Sequence, residues 1–213
     1  MNSIFSALEA EVKSLLESAS GCHDFDHTMR VLANARRLAA LESGADLAVV
    51  ETAALLHDIG RPEEIRSKGR HCHARYGAEL AAVMMEKLDC SPDFIARVAA
   101  CIRTHRFRGR QTPPQTLEEK IVYDADKLDS IGAVGIGRAF YFAGREGARL
   151  HNTAEEAVNS AEYSREDSAY REYLVKLRHV EERMLTASGR ELARERAAFM
   201  HEFFDRLNAE TGQ

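Results

Sequence analysis

The sequence predicts an all-α fold, and three observations carry that reading. Only 4 prolines interrupt 213 residues, no stretch alternates apolar and polar residues as a strand would, and apolar side chains recur three and four apart among many Ala, Leu, Glu and Arg. A hydrophobic content of 45% is enough for a sizeable core. A first helix is expected over about Ile4 to Ser18, with a break at Ser20-Gly21. A second runs from about Asp24 to Glu42, with Val31, Ala35, Leu38 and Leu41 facing inward, and Ser43-Gly44 ends it. The third begins near Asp46, carries Val49, Val50, Ala53 and Leu56, and finishes at His57, with Gly60 and Pro62 as stop signals.

The next helix spans about His73 to Leu88. Ser91-Pro92-Asp93 opens another, with an N-cap followed by proline at the first helical position, and this one continues to about His105. Arg106 to Pro114 reads as a basic loop. A long helical stretch from Thr116 to about Phe142 follows, bent at Gly132, Gly135 or Gly137, and two or three more helices fill Ala154 to the end. Among these last, Tyr170, Tyr173, Leu174 and Leu177 are expected to pack inward. No repeat or linker-like segment divides the chain, so a single domain over 1–213 is expected.

A net charge of −5 argues against a protein that coats nucleic acid or an anionic membrane through its overall field. No stable nucleic-acid partner and no membrane are therefore expected; a homodimer is compatible with the sequence. Cys22, Cys72, Cys90 and Cys101 form no C-x-x-C pair, which predicts free thiols in a reducing compartment. The opening MNSIFSALEAEVKSLLES carries early acids where a signal peptide needs a basic start and an unbroken apolar run, so a cytoplasmic protein is expected.

The run LLHDIG, Leu55 to Gly60, raises a problem of charge: it places His57 and Asp58 at the end of a segment that should be buried. His27 lies in line with Val31 and Leu38, His73 with Gly77, Leu80, Met84 and Leu88, and His105 with Phe94, Val98, Cys101 and Ile102, so all three point inward. One core histidine is ordinarily satisfied by a carbonyl or a carboxylate. Four on four helices, together with Asp58 and with Asp126 in YDADKLDSIG, are more simply satisfied by one shared divalent cation. Nitrogen and oxygen ligands without thiolate favour Mn2+, Fe2+ or Mg2+ over a structural zinc.

A histidine in HDFDHTMRV, the doublet of ALLHDIG and an aspartate in YDADKLDSIG together resemble the H…HD…D motif of the HD-domain phosphohydrolase superfamily. The resemblance implies an HD-domain helical bundle with core residues at about 20–145 and additional C-terminal helices over about 154–213, with His27, His57, Asp58 and Asp126 as metal ligands. The C-terminal segment from YREYLVKLRHVEER onward is similar to the tail of small stand-alone bacterial HD hydrolases. What it implies is hydrolysis of a phosphoester or phosphoanhydride in a small phosphorylated substrate, a nucleotide before others. In dinuclear relatives the positions of His73 and His105 complete a second metal site; in hydrolases with one metal they contact phosphate. Nucleotidase relatives place an acid three positions after the doublet, where this chain has Arg61, with Glu63 and Glu64 further on.

Hydrolysis of a phosphate ester needs a nucleophilic water, neutralisation of phosphoryl charge and a proton for the leaving group. Asp58 is expected to orient the water, and Lys127, directly after Asp126, to serve as catalytic and substrate-binding cation. His73, His105 and Arg106 are the further substrate-binding candidates. Arg108 and Arg110 are as readily explained as a solvated loop, and Asp129 as an acid that orients a ligand histidine or as an N-cap. The glycines of GAVGIG lack the strand-then-helix setting of a dinucleotide loop and are expected to serve close helix packing. Two other readings stand beside hydrolysis: a dinuclear iron oxygenase, as in oxidative members of the superfamily, and a metal-bound sensor without turnover.

Overall fold

The structure, a computed structural model, describes residues 2–17, 23–106 and 112–212. Within them the regular elements are helices, as the sequence predicts, and none is long and apolar enough to cross a membrane. The chain forms two compact units, 1–126 and 127–213.

The first unit holds α1 (Asn2–Leu16), α2 (Phe25–Leu41), α3 (Leu47–Leu56), α4 (Arg61–Arg66), α5 (His73–Glu86), α6 (Pro92–Thr104) and most of α7 (Leu117–Leu128). Three of these start where a short polar side chain takes up unpaired backbone N–H groups. Asp24 accepts from the His27 nitrogen, Asp46 from those of Ala48 and Val49, and Ser91 from that of Phe94. The core is the inward stripe of each helix: Leu8, Val12 and Leu16 of α1, Val31, Ala35 and Leu38 of α2, Val49, Val50, Ala53 and Leu56 of α3, all buried. α3 packs on α2 and α6, and α5 on α6. The Asn34 amide donates to the Ala125 carbonyl at 3.2 Å, tying α2 to α7 one residue before Asp126.

Three points depart from the sequence expectations. Leu41 is 60% exposed, because it is the last residue of α2 and the chain leaves the helix in extended form at Glu42. The third helix ends at His57 as expected, but a short helix that the sequence reading does not foresee follows: after a tight corner Pro62 stands in the first turn of α4, where its missing N–H costs nothing. The long stretch predicted from Thr116 to Phe142 is two helices, α7 and α8 (Gly132–Arg145). Ile131 is extended and Gly132 has φ +71°, a left-handed conformation that stops one helix before the next begins. The expectations for Ser18, Ser20, Gly21, Cys22, Arg108 and Arg110 lie outside the described residues; Cys72, Cys90 and Cys101 are free thiols.

The second unit contains α8, α9 (Ala154–Asn159), α10 (Ala169–Val175), two short 3-10 turns and α11 (Ala187–Glu210). α8 packs against α11 through small residues: a side chain on Gly135 would collide with the Ser130 carbonyl and meet Met200. Phe204 is fully buried and stacks on Tyr173 with centroids 4.2 Å apart. Tyr170, Tyr173 and Leu177 are buried as expected, and Leu174 is half-buried.

Candidate metal centre

Four helix ends of the first unit bring the predicted histidines together. His57 and His105 follow the last turns of α3 and α6, His73 opens α5, and His27 lies in the first turn of α2. All four are buried, as is Asp58 at 1% exposure, while Asp126 on α7 is partly exposed.

Asp58 lies at the middle. Its Oδ2 is 2.9 Å from His23 Nδ1 and 3.6 Å from Nε2 of both His27 and His57. Its Oδ1 is 2.9 Å from Arg61 Nε, 3.4 Å from His73 Nε2 and 3.6 Å from His105 Nε2. Asp126 Oδ1 stands 3.5 Å from His27 Nε2. The ligand atoms fall into overlapping groups, each within 4.8 Å: His27, His57 and Asp126; His23, His27 and Asp58; Asp58, His73 and His105.

The hydrogen bonds on the far side of each ring decide what this space holds. His57 Nδ1 lies 2.7 Å from the Ala54 carbonyl and His105 Nδ1 2.6 Å from the Ile102 carbonyl. A carbonyl only accepts, so both Nδ1 atoms carry protons and both Nε2 atoms present lone pairs to the centre. His73 Nδ1 donates in the same way to Glu64 Oε2 at 2.8 Å. Nε2 of His57 nevertheless comes within 3.3 Å of Nε2 of His27, and Nε2 of His73 within 3.2 Å of Nε2 of His105. Imidazole nitrogens that converge on one another and on a carboxylate form a donor set of the kind a divalent cation coordinates. The donor set therefore fits a divalent ion, in the arrangement where ligand imidazoles are oriented by acceptors behind them.

Protonation favours the same conclusion. Burial pushes His57 down to about 4 against the pull of Asp58, and burial lowers His73 and His23 as well. Burial works to raise the Asp58 carboxyl, but the Arg61 guanidinium overcomes it and holds Asp58 well below the usual carboxylate range. Neutral imidazoles around an ionised carboxylate are what a metal needs.

Two features go beyond the sequence reading. His23 precedes the N-cap of α2, outside any helical register, so only its nearness to His27 pointed to it; its side chain is 37% exposed and forms the open side of the cluster. Glu64, on the unpredicted α4, accepts from His73, from Arg61 Nη1 at 3.0 Å and from Arg106 Nη1 at 2.5 Å. Glu64→Gln is expected to cost 10- to 100-fold in metal affinity or in activity, roughly the range for residues that orient ligands; parallel metal titration and kinetics check it.

His27, His57, Asp58, His73, His105, Arg106 and Asp126 are thus assembled in one unit. Lys127 directly follows Asp126 on α7 and is half-buried, and Asp129 is buried and accepts from Arg138 at 2.6 Å.

The sequence profile of the HD domain matches residues 24–131. YpgQ of Bacillus subtilis is 37% identical over 200 residues, 92% of this chain and 88% of that protein. The crystal structure of YpgQ in complex with ADP superposes with a TM-score of 0.75 at 30% identity, covering 98% of this chain and 95% of the other. A predicted HD superfamily hydrolase from an uncultured Thermotogales bacterium gives 0.68 at 30% identity, over 96% and 91% of the two chains. With the motif, the assembled cluster and the matched length in agreement, the chain belongs to the HD domain family and is a hydrolase of that superfamily.

Proposed function

We propose that the protein is a metal-dependent phosphohydrolase that cleaves a phosphoester or phosphoanhydride bond in a nucleotide, with Mn2+, Mg2+ or Fe2+ held by His27, His57, Asp58 and Asp126. The observation that carries this reading is the convergence of unprotonated imidazole nitrogens on the buried Asp58 carboxylate. Such a cation supplies a water that ionises far more readily than bulk water and neutralises phosphoryl charge.

The chain's own residues do the rest. Asp58 Oδ2 faces the open, His23 side of the cluster, where it would accept a hydrogen bond from the attacking water and so orient it. Arg106 and Lys127 bind and steady phosphate oxygens, with His73 and His105 lining the same ground. A nucleotide is favoured because a relative of this similarity, YpgQ, has been solved with ADP. The compartment we propose is the cytoplasm, where nucleotides and reduced thiols coexist.

Purified protein supplied with Mn2+ or Mg2+ is expected to release phosphate or pyrophosphate from some member of a nucleotide panel, and His57→Ala to reduce this below detection. Equal turnover by the variant would overturn the assignment. A second reading, a dinuclear iron oxygenase, requires a further ion at His73 and His105 beside Asp58; iron content and a mixed-valence signal after aerobic purification would select it.

A further inference from the structure

Donor chemistry alone would seat an ion in each half of the cluster, since each half offers converging imidazole lone pairs and an oxygen of Asp58. Charge separates the two. The half built on His27 and His57 adds a second carboxylate, Asp126, to Asp58 Oδ2. The half built on His73 and His105 has Asp58 Oδ1 alone, and that oxygen already accepts from Arg61 Nε at 2.9 Å. A second guanidinium, Arg106, lies 3.4 Å from His73 Nδ1.

Across the whole centre the carboxylates are Asp58, Glu64 and Asp126, and the fixed cations paired with them are Arg61 and Arg106. These charges sum to −1, so one divalent ion takes the set to +1 and a second would take it to +3. A second would enter beside a guanidinium that does not deprotonate, at separations where like charges repel strongly even with the screening of a protein interior.

We infer that Arg61 limits the centre to one tightly held divalent cation, by standing as the counter-charge to Asp58 Oδ1 where a second ion would bind. Arg61 is a positioning residue: it also bridges Asp58 to Glu64, and so keeps His73 oriented without a metal at that end. The position three residues after the doublet then sets how many ions the centre holds. This rests on metal binding at the proposed centre but not on the reaction, so an inactive protein that loads one ion still supports it.

The experiment is metal counting. Metal-free protein is titrated with Mn2+ and read by elemental analysis after desalting and by electron paramagnetic resonance, for wild type, Arg61→Gln and Arg61→Lys. One Mn2+ per chain is expected in wild type and Arg61→Lys, with an isolated-ion spectrum. Arg61→Gln is expected to retain a second ion, bound at least about tenfold more tightly than in wild type, with a spin-coupled spectrum. An exchange-coupled pair in wild type overturns the inference, and that measurement stands even if Arg61→Gln fails to fold. So does a folded Arg61→Gln that still holds one ion. No retained ion in any of the three proteins would remove the metal centre itself.

Discussion

Asp58→Asn is expected to abolish metal retention and to lower kcat/KM by more than about 100-fold, past the range for residues that only orient ligands. The substitution keeps the shape of the side chain. Its amide oxygen, in the place of Oδ1, can still accept from Arg61, and its NH2 group, in the place of Oδ2, can donate toward the nitrogens of His23, His27 and His57. The buried site thus stays satisfied and the helices are expected to remain folded, while the one carboxylate shared by both halves of the cluster is gone. Elemental analysis, circular dichroism and kinetics on the same preparation check this. A folded Asp58→Asn protein that keeps its metal and stays within tenfold of wild-type turnover would contradict it.

Gly60→Ala is expected to have the largest effect on stability, a loss of about 2–4 kcal/mol in denaturant unfolding. Gly60 has φ −83°, which alanine adopts freely, so the cost is entirely one of space. A Cβ there would collide with the His73 carbonyl oxygen and stand 2.8 Å from the Gly77 nitrogen. Both obstacles are backbone atoms of α5, so the corner after the doublet and the start of that helix must move apart. His73 moves with them, and weaker metal binding is expected to accompany the lost stability. Gly77→Ala is the control: its Cβ would be 3.3 Å from the Gly60 nitrogen, a contact relieved by a shift of a few tenths of an ångström. A smaller loss, below about 1 kcal/mol, is expected. Equal losses at the two positions would refute the steric account.

Helical periodicity made much of this site legible. His27, His73 and His105 each share a register with buried apolar neighbours, which is why their inward direction could be read before any fold was in hand. The doublet was legible for a different reason, an acid following an apolar run that has no water to give it. Periodicity says nothing, however, about residues outside a helix, and His23 and the corner at Gly60 are of that kind. Glu64 was hidden because Gly60 and Pro62 carry stop signals that serve equally well as the start of a short helix. The break between α7 and α8 was hidden because three glycines compete in GAVGIG, and only the left-handed backbone of Gly132 marks which one divides the helices.

His57 and His105 each fold back onto the carbonyl three residues earlier in their own helix. Those carbonyls belong to last turns that lack partners within the helix, so each ring is locked by the ordinary need to finish a helix end. The rotational freedom of the two imidazoles is therefore surrendered when the protein folds, well before any ion arrives. The incoming cation meets a rigid cage, and what it must give up is its own hydration shell.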